Sequence, residues 1–171
     1  MTMFRNDDDL KRADWALLQN AAVNLFRDPA ILEEARQALL KLDYEIADIS
    51  CATGWSGIHE PFSSLLKWEE QFGYSPWNGN LNAFNDGLLD YPFGPSGRNA
   101  LILHAFHKLV AENRGASHAI LDMLETSARD HLLWGKTLIV LVQTDDDLYQ
   151  CPAIGGRRVG WNRREWLSIR R

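Results

Sequence analysis

The sequence predicts an α/β fold, a small parallel sheet of about four strands with helices packed on it. Three features carry that expectation. Residues 99–106 are almost unbroken apolar, and residues 137–142 are the stretch richest in β-branched side chains, as expected of strands covered on both faces. Between them, residues 117–134 place Ile120, Leu121, Leu124, Ala128, His131 and Leu132 at helical spacing and stop at Gly135. Along the whole chain strand patterns alternate with helical ones, and a helical crossover is the connection that parallel neighbours require. With 171 residues, 46% of them hydrophobic, the chain fits one domain or one domain with an appendage.

The elements follow in order. Residues 14–18 form a short helical turn that leads into a first strand at 22–26. Asp28 and Pro29 open a helix, Asp as N-cap and Pro at the first helical position. Behind them come Ile31, Ala35, Ala38, Leu39 and Leu42, with Glu33 and Glu34 near the favourable positive end. Residues 44–50 read as a second strand whose alternation is interrupted by acidic side chains. A loop through Gly54, Trp55 and Gly57 precedes one helix over residues 60–72, with Pro61 in its first turn, Phe62, Leu65, Leu66 and Phe72 inward, and Gly73 as its stop. A turn and a short helix occupy residues 77–91, and Pro92, Gly94, Pro95, Ser96 and Gly97 make a loop. After the last strand the run Asp145, Asp146, Asp147 leads to a hairpin around Gly155 and Gly156. Residues 162–165 have capping spacing for a final short helix carrying Trp166 and Leu167. Trp161 and Trp166 predict that this tail docks on the body, since a disordered arm rarely carries two tryptophans.

Charge divides the chain. Residues 1–147 hold 22 of the 23 acidic side chains and 12 of the 18 basic ones, whereas residues 148–171 hold 6 basic and 1 acidic. An acidic body repels nucleic acid and attracts cationic surfaces. No apolar run approaches the roughly 20 residues that span a bilayer. The polar, acidic start lacks a signal or transit pattern, so a cytoplasmic protein is expected. Cys51 and Cys151 are too few for a disulfide framework or a cysteine-rich zinc site, and each reads as a small buried apolar residue.

The most informative stretch is residues 77–91. Asn78 and Gly79 are turn residues, Asn80 is a good N-cap, and Leu81, Phe84 and Leu88 share one side of the helix that follows. Asn82, Asp86 and Asp90, spaced four apart, form a polar stripe on nearly the opposite side. Such a stripe is also what any amphipathic surface helix shows. This stretch resembles the barstar family of intracellular ribonuclease inhibitors, whose members carry aromatic-Gly-x-Asn-Leu-Asp-Ala-Leu-x-Asp-x-Leu here. Asn80, Leu81, Ala83, Asp86 and Leu88 match directly, Phe84 matches conservatively, Trp77 matches the aromatic residue, and Asn82 departs from the family's acid.

The resemblance implies a barstar-like core at residues 44–142, preceded by a strand-helix extension at 1–43 and followed by the basic tail at 148–171. It implies a protein inhibitor that blocks the active site of a ribonuclease or related nuclease toxin. In that picture a carboxylate aligned with Asp86 enters the nuclease active site with the preceding turn beside it. The partner-binding set carried over is Trp77, Asn78, Gly79, Asn80, Leu81, Asn82, Asn85, Asp86, Asp90 and Tyr91. Asp130 stands in for an acid on the family's last helix. Trp77 and Tyr91 could equally be core.

Other constellations are weak. Gly135-Lys136-Thr137 ends like a phosphate-binding loop, but Asp130 stands where that loop needs Gly, and the order is helix-loop-strand. His104 and His107 would fall on opposite faces of a strand, and His59, His118 and His131 have no ligand partners at metal spacing. No nucleophile motif occurs, and Asp86 and Asp90 on adjacent turns of one exposed helix do not enclose a substrate. No enzyme, cofactor or metal is therefore expected, and the partner expected is a protein. The alternative is a nucleic-acid-associated regulator using Arg157, Arg158, Arg163 and Arg164 of the tail.

Overall fold

A computed structural model describes residues 11–165. Strands β1 (Val23–Phe26), β2 (Glu45–Ser50), β3 (Arg98–His104) and β4 (Thr137–Gln143) form one all-parallel sheet in the order β1-β4-β3-β2. The helices among the described residues are α1 (Ala13–Leu18), α2 (Pro29–Leu40), α3 (His59–Leu65), α4 (Trp68–Phe72), α5 (Leu81–Leu89), α6 (His107–Glu112) and α7 (Arg114–Leu133). The α/β class with a four-stranded parallel sheet is as the sequence predicts.

The layering follows from the direction of chain travel. From β2 through β3 to β4 the chain steps one way across the sheet, whereas β1 to β2 crosses the other way from edge to edge. A right-handed crossover puts its helices on the face that the direction of travel dictates, so the two directions fill opposite faces. Leu17, Ile31, Leu32 and Leu39 of α1 and α2 pack on Ala100, Ile102, Ile139 and Leu141. Helices α3 to α7 pack on the alternate residues, Leu101, Leu103, Leu138, Val140 and Val142. Every residue of β4 is buried, which is why its sequence shows no polar alternation.

Two elements differ from the sequence expectation. The helix expected over residues 60–72 is two helices, broken where Lys67 takes a left-handed conformation (φ 50°). On one continuous helix Leu66 and Trp68 would stand about 200° apart, and the break lets both bury completely. The strand expected to reach residue 106 ends at His104, because Ala105 turns the backbone (φ 53°) and its N–H donates to Gln143 Oε1 at 2.8 Å. His107 therefore begins α6 and is not a strand residue.

The tail lies along the β1 edge. Leu25 N–H donates to Gly160 O at 3.1 Å, Asn162 N–H donates to Leu25 O at 2.8 Å, and Trp161 bridges to Leu25 in parallel. A tight turn at Gly155 and Gly156, both at positive φ, is closed by the Ile154–Arg157 bridge. Glu165 is buried and accepts from the amides of Arg27 (2.9 Å) and Asp28 (3.2 Å). Residues 162–165 make a turn in which Glu165 N–H donates to Asn162 O. Trp166 and Leu167 lie outside the described residues.

Candidate functional site

The turn ahead of α5 is anchored by Trp77. Its ring is fully buried among Trp55, His59, Phe62, Trp68 and Phe84, with ring centroids 4.9–6.2 Å away. Its backbone N–H donates to Ser63 Oγ at 2.6 Å, and its indole Nε1–H donates to Asn80 O at 2.8 Å. Asn78 Oδ1 accepts from Asn80 N–H at 3.1 Å, and Gly79 supplies the positive φ of 89° that the turn requires. Asn80 then caps α5 as expected, its Oδ1 accepting from Asn82 N–H (3.0 Å) and Ala83 N–H (3.2 Å).

Helix α5 buries Phe84, Gly87 and Leu88 and half-buries Leu81 and Ala83. Gly87 permits close approach, since a Cβ there would lie 3.0 Å from the Trp68 ring. Its far side presents Asn82, Asn85, Asp86 and Asp90 to solvent. Among the described residues, none of these four side chains makes a hydrogen bond or ion pair, and the tail lies elsewhere, on the β1 edge.

Asp130 joins this face through tertiary structure. Ser127 Oγ (3.2 Å) and His131 Nε2 (2.9 Å) of α7 both donate to Leu88 O, locking the last turn of α5 onto the last turns of α7. A groove of about 410 Å³ opens between them, lined by Leu89, Asp90, Asp130, Trp134 and Lys136 among others. Asp90 and Asp130 are exposed and, among the described residues, have no ion-pair partner; Lys136 instead stands 5.2 Å over the Phe93 ring. Both helices end at this groove, so their carbonyl ends add to the negative field of the two carboxylates. Sequence reasoning missed Leu89 and Trp134, 61% and 82% exposed, which flank the acids. Their signal was apolar residues at the end of a helix but off its core stripe.

Two members of the expected set are corrected. Trp77 and Tyr91 are core residues, at 0% and 3% exposure, and cannot offer their rings to a partner while the fold is intact. The pattern could not separate core aromatic from surface aromatic because both flank the same amphipathic helix. Burial also pushes the Tyr91 phenol upward.

Several other polar groups are used internally. Asp48 accepts from His104 at 2.8 Å and Arg36 at 3.0 Å, tying β2, β3 and α2 together. Burial pushes the Cys51 thiol up to about 12, far from the range of a reactive nucleophile. Gly135 closes α7 as a left-handed stop (φ 72°). In the tail, Arg157 donates to Asn20 O, Arg163 to Gln19 Oε1, and Arg164 pairs with Glu34, so three of the four arginines considered for nucleic acid are engaged by the N-terminal unit. Among the described residues no group of three or more His, Cys, Asp or Glu could hold a metal ion. None of the helices among the described residues is long and apolar enough to cross a membrane.

The fold and this surface define an α/β protein with an exposed acidic helix face, hydrogen-bonded to α7 at its last turn, whose carboxylates make no ion pair among the described residues. Comparison with protein-family models, with curated proteins and with solved structures returns no match to the chain.

Proposed function

We propose that this chain is a cytoplasmic, barstar-like inhibitor that binds a ribonuclease or related nuclease toxin and blocks its active site, without catalytic activity or cofactor of its own. The observation that carries the reading is the free state of Asp86, exposed on a helix whose opposite side is held in the core and which has no competing cation among the described residues. A nuclease that cleaves RNA must present Arg, Lys and His toward the scissile phosphate. Carboxylates held at phosphate-like spacing can fill that site and cannot be cleaved. Asp86 is the central contact, and Asn82, Asp90 and Asp130 support it from the same surface. Trp77 and Tyr91 act beneath it as anchors.

The partner is a protein, and direct nucleic-acid binding is not part of the reading. The 22 acidic side chains of residues 1–147 oppose it. Inhibition assays against small secreted ribonucleases, with the native chain and Asp86→Ala in parallel, test the proposal. The native chain should inhibit at least one of them. Removing one partner of a buried charge pair costs about 2–5 kcal/mol of binding, so Asp86→Ala should lose most of its affinity with unchanged circular dichroism. Equal affinity of the two for the cognate nuclease would falsify the role given to Asp86.

A further inference from the structure

Beneath the turn at residues 77–80 lies an arrangement that the acidic face does not use. The loop at 54–58 and the first turn of α3 bring Trp55 and His59 against Trp77, with centroids 5.9 Å apart for Trp55–Trp77, 5.0 Å for His59–Trp77 and 6.2 Å for Trp55–His59. The same helix grips the turn by its backbone. Trp77 N–H donates to Ser63 Oγ, and Ser63 Oγ–H donates to His59 O, both at 2.6 Å. Gly79 rests on the two rings, since a Cβ there would lie 3.1 Å from Trp55 Nε1 and 3.2 Å from His59 Nε2. His59 Nε2 is itself buried and has no hydrogen-bond partner among the described residues.

A neutral imidazole with its proton on Nδ1 leaves only a bare lone pair at Nε2, a modest cost. An imidazolium must also carry a proton on Nε2, which is buried on the side of the Gly79 turn with no acceptor in reach among the described residues. The titratable groups on the packed elements do not relieve this. Glu60 on α3 is exposed, the Glu112 carboxylate of α6 is taken by the Trp55 amide at 2.7 Å, and residues 76–80 carry none. Burial is accordingly the cause of a lowered His59 pKa.

We propose that His59 is a positioning residue for the turn at 77–80 and makes partner binding proton-sensitive, the neutral ring seating Gly79 and the Asn80 cap and the protonated ring displacing them. Its partner-binding half rests on the inhibitor reading; the coupling between His59 and the turn does not.

The test is a nuclear magnetic resonance titration of the full chain from about pH 8 to about pH 5. The His59 ring should titrate below its ordinary value of about 6.5. The Gly79 and Asn80 amides and the Trp77 indole should move with the same midpoint. In His59→Phe, which keeps a ring against Trp77, and in His59→Gln, which guards against misfolding of the first, those signals should stay flat. Turn signals that ignore the His59 titration, or that move equally in both variants, overturn the proposal. With a nuclease that the native chain inhibits, affinity should fall about tenfold as the ring protonates and stay level in the variants; equal pH dependence overturns the partner-binding half. A native chain that shows the coupled titration yet binds no ribonuclease supports the coupling and overturns its consequence for binding, together with the inhibitor reading.

Discussion

Glu125 of α7 is fully buried, and its Oε2 accepts from the backbone amides of Ala22 (2.7 Å) and Val23 (3.1 Å), tying the start of β1 to a helix distant in sequence. Desolvation raises its pKa, against the pull of those two amides and of Arg157 and Arg129. A carboxyl whose folded pKa lies above its unfolded value favours the fold most below the unfolded value. That contribution is lost as pH rises through the folded value. Glu125→Gln keeps an acceptor for the amides and removes the charge. Its stability relative to the native chain should therefore improve from about pH 4 toward neutrality, measured as urea unfolding midpoints across pH. Glu125→Ala should instead cost about 1–3 kcal/mol by leaving the amides unpaired. If the native chain and the Gln variant kept a constant difference at every pH, the raised pKa would be refuted.

Helix α5 is short, so its geometry depends on its first turn. Asn80 satisfies two amides there, and Asn80→Ala should cost about 0.5–2 kcal/mol and loosen the acidic face that it starts. Gly79→Ala places a β-carbon at φ 89° against Trp55 and His59, and should cost about 1–2 kcal/mol. Denaturant midpoints measure both, and a neutral Gly79→Ala would mean that the turn is not seated on those rings. This element was the most legible in the sequence, because its cap, its apolar side and its polar stripe are all local patterns. What α5 rests on was not legible: Trp68 reaches Gly87 only because the chain breaks at Lys67, and no residue type announces a left-handed lysine.

Across the whole molecule, the tail supplies what the short edge strand β1 lacks. It satisfies both outward groups of Leu25, and Glu165 caps the passage from β1 into α2. Leaving these groups bare would expose an edge open to pairing with other chains. Glu165→Ala should lower stability by about 1–3 kcal/mol and reduce amide-exchange protection at residues 23–28; protection unchanged there would show that the tail is not a clamp. Several determinants were readable from the chain alone: the buried strands β3 and β4, the Asp28-Pro29 start of α2, the Asn80 cap, and the side of α5 that carries Asn82, Asp86 and Asp90. Each is a preference of neighbouring residues for helix, strand, core or water. Only tertiary structure decided that β1 pairs with β4, that Trp77 and Tyr91 turn inward, that Asp90 and Asp130 share a groove, and that Arg157, Arg163 and Arg164 of the tail are spent on Asn20, Gln19 and Glu34. Those outcomes are distances between residues far apart in sequence, set by how whole elements pack, and a periodic pattern carries no record of which partner each face will meet.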